Sequence, residues 1–137
     1  MAIDFANAHD RHQRDASYLE QTGHPSNADH LYGFAAECGL KALMTLFGMP
    51  VKTSGDPEDS ADWKHINHLW HRYSMYTSAP YSAIYQLDDE NSFNDWLASD
   101  RYAADTHVTP PRLTRHRGGA ERVHALVERA RMEGLLP

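Results

Sequence analysis

Arg101 and His107 have the types and the spacing for phosphoryl chemistry: five residues separate them in Arg101-Tyr-Ala-Ala-Asp-Thr-His107. Metal-free cleavage of RNA needs a base for the 2′-hydroxyl proton and a cation for the phosphate. An unperturbed imidazole titrates near neutrality, which suits His107 to the first task. A guanidinium grips phosphate through two parallel N–H bonds, which suits Arg101 to the second. Two features compete with this reading. His107 runs into Val-Thr-Pro-Pro, so the pair need not share a helical turn. Arg101 also has a structural use elsewhere in the chain.

That use starts in the stretch 31–47, an apolar run interrupted by Glu37 and Lys41. Residues four apart share a helical face. A carboxylate in an apolar stripe is costly to bury unless a cation pairs with it. Arg101 is expected to cross the molecule and supply that cation to Glu37. The candidate binding residues are therefore Glu37, Lys41 and Tyr102, with a backup pair on the last helix, Arg117 and His124. Gly118 and Gly119 would let backbone approach a phosphate beside that pair. Arg112 and His116 form a similar pair at a shorter gap.

Other chemistries find less in the sequence. His9 and His12 are three apart, and His65, His68 and His71 follow at intervals of three, a spacing that helical metal ligands use. On an ideal helix, however, His65 and His71 diverge by about 120°. With no cysteine partner and no His-Glu-x-x-His signature, no metal site and no cofactor are expected. His65 is expected at the core boundary, with His68 and His71 facing solvent. The single cysteine, Cys38, excludes an internal disulfide and sits in apolar company that raises a thiol pKa rather than activating it. Among the aromatic residues, Trp70 and Trp96 are expected in the core. Tyr76, Tyr81 and Tyr85 are candidates for a dimer surface.

Helices must position these groups. A first helix over about 2–22 has Phe5, Ala8, His12, Ala16 and Leu19 near one face, with Asp4 as N-cap and Gly23 as stop. His24-Pro-Ser-Asn turns the chain and caps a second helix over about 25–47, which Gly48-Met-Pro50 ends. Residues 49–62 read as a mobile loop. A third helix is expected over about 61–76, capped by Asp62 and broken by Ser78-Ala-Pro80. Short helical pieces are expected at 81–87 and at 92–98. The last helix begins near Pro111, is weakened or divided at Gly118-Gly119, and buries Ala120, Val123, Leu126, Val127 and Ala130. The fold class is all-α: an antiparallel up-and-down helical bundle of four main helices plus one or two short helices, forming one domain over 1–137.

Composition agrees. Hydrophobic residues make up 41% and charged residues 23%, ordinary values for a globular chain of 137 residues. The net charge of -6 is uneven: residues 111–137 carry six arginines against three glutamates, so a basic C-terminal helix joins an acidic body. The start, Met-Ala-Ile-Asp-Phe, lacks the basic and apolar regions of a secretory leader, and no apolar run is long enough to span a membrane. A cytoplasmic protein is expected.

In order along the chain, Arg14-Asp-Ala16 with Leu19, Asn27-Ala28, the string Leu31-Tyr-Gly-Phe-Ala-Ala-Glu-Cys-Gly-Leu-Lys41, Lys64-His-Ile-Asn-His-Leu-Trp70, and Trp96 followed by Arg101-Tyr102 resemble the pattern of the small bacterial members of the HEPN superfamily. The resemblance spans about residues 10–127. It implies an up-and-down bundle that pairs into homodimers and associates with nucleotides, RNA or nucleotidyltransferase partners. Many members are toxin ribonucleases with Arg-x4–6-His at the start of the final helix, and the spacing of Arg101 and His107 fits that motif. The family motif usually has Asn, Asp or His directly after the arginine, where this chain has Tyr102. Other members have lost the motif and act as binding modules. The expected function is accordingly a noncatalytic binding or interaction module for a nucleotide, RNA or protein partner. The alternatives are a metal-independent endoribonuclease using Arg101 and His107, and a companion subunit of a nucleotidyltransferase.

Overall fold

Four α-helices and no strands make up the described residues, 1–77 and 83–137, of this computed structural model. Helix α1 runs Phe5–Gln21. The Asp4 side chain accepts from the Asn7 N–H at 3.0 Å, so the expected N-cap satisfies one of the orphan donors of the first turn. Gly23 takes φ +84°, a conformation that favours glycine, and the chain reverses there.

Helix α2, Pro25–Leu46, is the central rod: Tyr32, Ala35, Ala36, Leu40, Leu43 and Met44 are all buried. Its N-cap is His24, whose side chain makes no capping bond, so Pro25 in the first turn rather than a polar cap marks the start. Gly48 at φ +109° closes the far end.

Helix α3 is shorter than the spacing of its apolar residues predicts. It spans Ile66–Arg72, flanked by 3-10 turns at Ser60–Asp62 and Tyr73–Met75. Asp62 does not cap it. That carboxylate is fully buried and accepts from Arg72 Nε at 2.7 Å and from the Tyr76 hydroxyl at 2.6 Å. These bonds tie the turn before α3 to the turn after it. The segment 49–62 folds onto itself, with a bridge between Val51 and Pro57, and Ser54 O accepts from the Ile3 N–H at 3.1 Å. The expected helix break at Ser78-Ala-Pro80 and Tyr81 lie outside the described residues.

No helix forms at 92–98. Asn91 Oδ1 accepts from the Phe93 N–H at 2.8 Å and holds a turn that drives Phe93 and Trp96 into the core. Two 3-10 turns follow, Ala98–Tyr102 and Asp105–His107.

Helix α4 then runs Pro110–Met132 without a break at its glycines. Gly119 is there for packing: a Cβ on it would fall 2.6 Å from Phe93 Cε2 and 2.7 Å from Ser92 Cβ. Helix α1 runs antiparallel to both α2 and α4: Glu20 near its end meets Tyr32 early in α2 and Arg117 early in α4, while Phe5 at its start meets Lys41 late in α2 and Asp10 meets Arg131 late in α4. No helix of the described residues is long and apolar enough to cross a membrane.

Candidate functional site

Glu37 is buried, as its apolar neighbours require, but its partner is not Arg101. Lys41 Nζ lies 3.1 Å from Glu37 Oε2, and His65 Nδ1 lies 2.8 Å from Oε1. Lys41 is itself buried, with its ammonium 5.9 Å from the centre of the Phe5 ring. An intrahelical pair one turn apart needs no long reach, whereas Arg101 sits on an exposed turn. Its Nη1 donates to Ala98 O at 2.7 Å, its Nη2 donates to the Tyr102 hydroxyl at 3.0 Å, and its Cζ lies 4.5 Å from the Tyr102 ring centre. Next to Glu37, burial and that carboxylate push the Cys38 thiol up to about 12, so the cysteine is inert as a nucleophile.

A second buried polar centre joins α2, the 91–97 turn and α4. His116 is fully buried and stacks on Phe93, with ring centres 5.3 Å apart. Its Nδ1 lies 2.6 Å from Asp29 Oδ1 and its Nε2 lies 2.8 Å from Asp95 Oδ1. Carboxylates only accept, so an imidazolium donating from both nitrogens satisfies this arrangement. Arg112 and Arg115 also contact Asp95. Burial alone would raise the Asp95 carboxyl; the His116 N–H and the three neighbouring cations outweigh it and hold the group below the usual carboxylate range.

Beside this anchor lies a cavity of about 220 Å³, lined among others by Ser26, Asp29, His30, Asp100 and Arg101. It is bounded by the first turns of α2 and by the two 3-10 turns. Two of its three acids are already engaged, and the third is Asp105. Asp29 is bound to His116. Asp100 meets Arg112 Nη2 at 3.3 Å, His107 Nε2 at 3.2 Å and the Leu97 N–H at 2.9 Å. Arg101, in contrast, pairs with no carboxylate among the described residues.

His30 also stands out. Both its ring nitrogens are buried without a hydrogen-bond partner, as is Nε1 of Trp96, on which His30 stacks at 5.1 Å. Burial, with the nearby Arg101 charge, lowers the His30 pKa against the opposing pull of Asp100, which favours the neutral ring. A neutral imidazole offers one donor and one acceptor. Trp96 can lie against α2 only because residue 33 is glycine: a Cβ there would enter the indole, 2.6 Å from Cζ2.

The sequence-predicted residues thus divide. Arg101, Tyr102 and His107 share one corner of the molecule. His107 is joined to Asp100, the residue next to Arg101, and Tyr102 is 77% exposed beside the guanidinium. Glu37 and Lys41 form a structural pair with His65. Arg117 and His124 do not act on each other: Arg117 binds Glu20, which also accepts from the Tyr32 hydroxyl at 2.7 Å, and His124 binds His9. Sequence reasoning missed His30, which stands one turn before Phe34 on α2. Its ring meets the Phe34 ring at 4.9 Å, a contact that their i, i+4 spacing signals. It also missed the bridge from Asp29 through His116 to Asp95, because no local pattern links residues on three separate elements. The chain matches no family model, no curated protein and no solved structure.

Proposed function

We propose that the chain is a noncatalytic HEPN-like binding module whose cleft between the start of α2 and the two 3-10 turns takes a phosphate-bearing ligand, a nucleotide or a segment of RNA. One observation carries this reading. Two of the three acids that line the cleft, Asp29 and Asp100, are bound to cations, leaving Asp105, while Arg101 is not bound to an acid and His30 keeps two unpaired ring nitrogens. Unpaired buried polar atoms are rare enough in native proteins to ask for a ligand. The helix α2 N-terminus, at Ser26 and Asn27 in the cleft wall, adds a favourable field for negative charge. At about 220 Å³ the cleft suits a phosphate with its sugar rather than a whole dinucleotide. The exposed ring of Tyr102 offers a face for the base outside it.

A second reading, the metal-independent endoribonuclease, is favoured by one contact: His107 Nε2 at 3.2 Å from Asp100 Oδ1, a carboxylate that could orient a general base. Against it, Arg101 is braced on Ala98 O and Tyr102 and makes no contact with His107.

Fluorescence anisotropy with a labelled RNA oligonucleotide in EDTA separates the two. We expect saturable binding that weakens with salt, falls about tenfold or more in Arg101→Ala, and leaves the RNA intact. Cleavage that disappears in His107→Ala would establish the enzyme instead. Binding unchanged in Arg101→Ala would remove the cleft from the account.

A further inference from the structure

A different group of residues, at the seam between α1 and α4, brings metal-ligating atoms together. His9, Asp10 and His124 each present one ligand atom, and these atoms lie within 4.8 Å of one another. His9 Nε2 and His124 Nδ1 are 2.9 Å apart, with ring centres 5.2 Å apart and ring planes 25° from parallel. We propose that these three residues form a binding site for a divalent transition metal of the zinc class.

The hydrogen bonds around His9 prepare it as a ligand. Its Nδ1 lies 2.7 Å from Ala35 O. A carbonyl only accepts, so Nδ1 carries the proton and Nε2 carries the lone pair, directed at His124. Metal-binding imidazoles are oriented in this way, through a hydrogen bond from the other ring nitrogen. The backbone carbonyl and the close packing of Gly39 against the ring, whose Cβ would meet His9 Nδ1 at 2.8 Å, fix its direction.

In the metal-free chain His124 Nδ1 must donate to His9 Nε2. To ligate, His124 moves that proton to its own Nε2, so no net proton is released and both facing nitrogens become donors of lone pairs. Two imidazole nitrogens on one tetrahedral zinc stand roughly 3.3 Å apart. The present 2.9 Å therefore needs to open by only a few tenths of an ångström.

Asp10 supplies the oxygen. Its two carboxylate oxygens receive Arg131 Nη1 and Nη2 at 2.9 and 2.7 Å, which leaves further lone pairs for an ion and holds the group in place. The Arg131 charge is offset by Glu128, 2.6 Å away. Two imidazoles and a carboxylate suit zinc and its neighbours rather than calcium or magnesium. Asp10 and His124 are only partly buried, which leaves the ligand set a side towards solvent. Three protein ligands leave a fourth position for water.

Sequence spacing could not reveal this site, because His9 and His124 are 115 residues apart. The histidines with regular spacing, His65, His68 and His71, do not converge on it.

The test is isothermal titration of the EDTA-stripped full chain with ZnCl2, with CoCl2 as a spectroscopic probe of tetrahedral nitrogen–oxygen coordination. We expect one equivalent bound, a tetrahedral cobalt spectrum, and a thermal midpoint raised by roughly 10 °C at zinc a hundredfold above its Kd. His124→Ala should abolish all three. Asp10→Asn, at a half-exposed position, should weaken binding while keeping the fold, and it serves if His124→Ala fails to fold. His68→Ala with His71→Ala should change nothing. Absence of binding at 100-fold excess zinc over protein, an isotherm unchanged in both His124→Ala and Asp10→Asn, or binding lost in the His68/His71 variant would overturn the proposal.

Discussion

Lys41 is the counter-ion of Glu37, and it comes from the same helix, one turn away, with His65 closing the other side of the carboxylate. The pair is buried, so removing one member leaves the other charged and unpaired in the core. Glu37→Ala should therefore lower the unfolding free energy by about 3–5 kcal/mol in urea denaturation. Replacing both Glu37 and Lys41 by leucine should recover most of that loss, because a packed apolar pair of similar volume is often neutral or better. A loss under 1 kcal/mol for Glu37→Ala would mean that the carboxylate is solvated. Burial of Glu37 and its proximity to Lys41 were legible from the apolar run and the i, i+4 spacing. The choice of Lys41 and His65 over Arg101 was not. It depends on where the 98–107 turns run, and a chain segment rich in single turns carries no periodicity to fix its path. His65 itself was legible as a boundary residue beside Ile66 and Leu69, and the contact that makes it matter lies across the bundle.

At the scale of elements, glycines on α2 and α4 divide by what they face. Gly33 receives the Trp96 indole and Gly119 receives Phe93, whereas Gly118 has nothing within 4 Å of where a Cβ would stand. Opposite signs follow. Gly33→Ala should destabilise by about 1–3 kcal/mol or more through overpacking and should shift the tryptophan fluorescence. Gly118→Ala should stabilise by about 0.8–1 kcal/mol, the helix propensity of alanine over glycine. Equal effects at the two positions would contradict the packing described. The same contrast explains why the glycine pair in α4 misled the reading of that helix: a glycine costs helix propensity locally, but Gly119 lets Phe93 and Ser92 pack closely against α4. The long helices α1, α2 and α4 were legible because each has a start or stop signal and a continuous apolar face. The sequence predicts a longer α3 because Tyr73 and Tyr76 keep the helical spacing while the backbone tightens to a 3-10 turn. At 92–98, the Asn91 side chain takes the Phe93 N–H and makes a turn in place of a helix.

At the scale of the whole molecule, buried or half-buried polar contacts fasten helices that the apolar core alone would let slide. Asp29, His116 and Asp95 lock α2 to α4 through the 91–97 turn, while Glu20 with Arg117 and Asp10 with Arg131 lock α1 to α4. This arrangement accounts for the basic C-terminal helix. Most of its arginines answer acids of the body, so local charge in the sequence overstated what remains for a partner. Away from that helix, Arg101 with Tyr102 and the unpaired His30 stand around one cleft. The most direct measurement of the account is an NMR titration of the labelled full chain with AMP, following backbone amides, the His30 ring and the Arg101 side chain. Saturable shifts confined to residues 26–30 and 98–108, including both side chains, are expected, with their loss in Arg101→Ala. Shifts that fall elsewhere, or that persist at the cleft in Arg101→Ala, would contradict it.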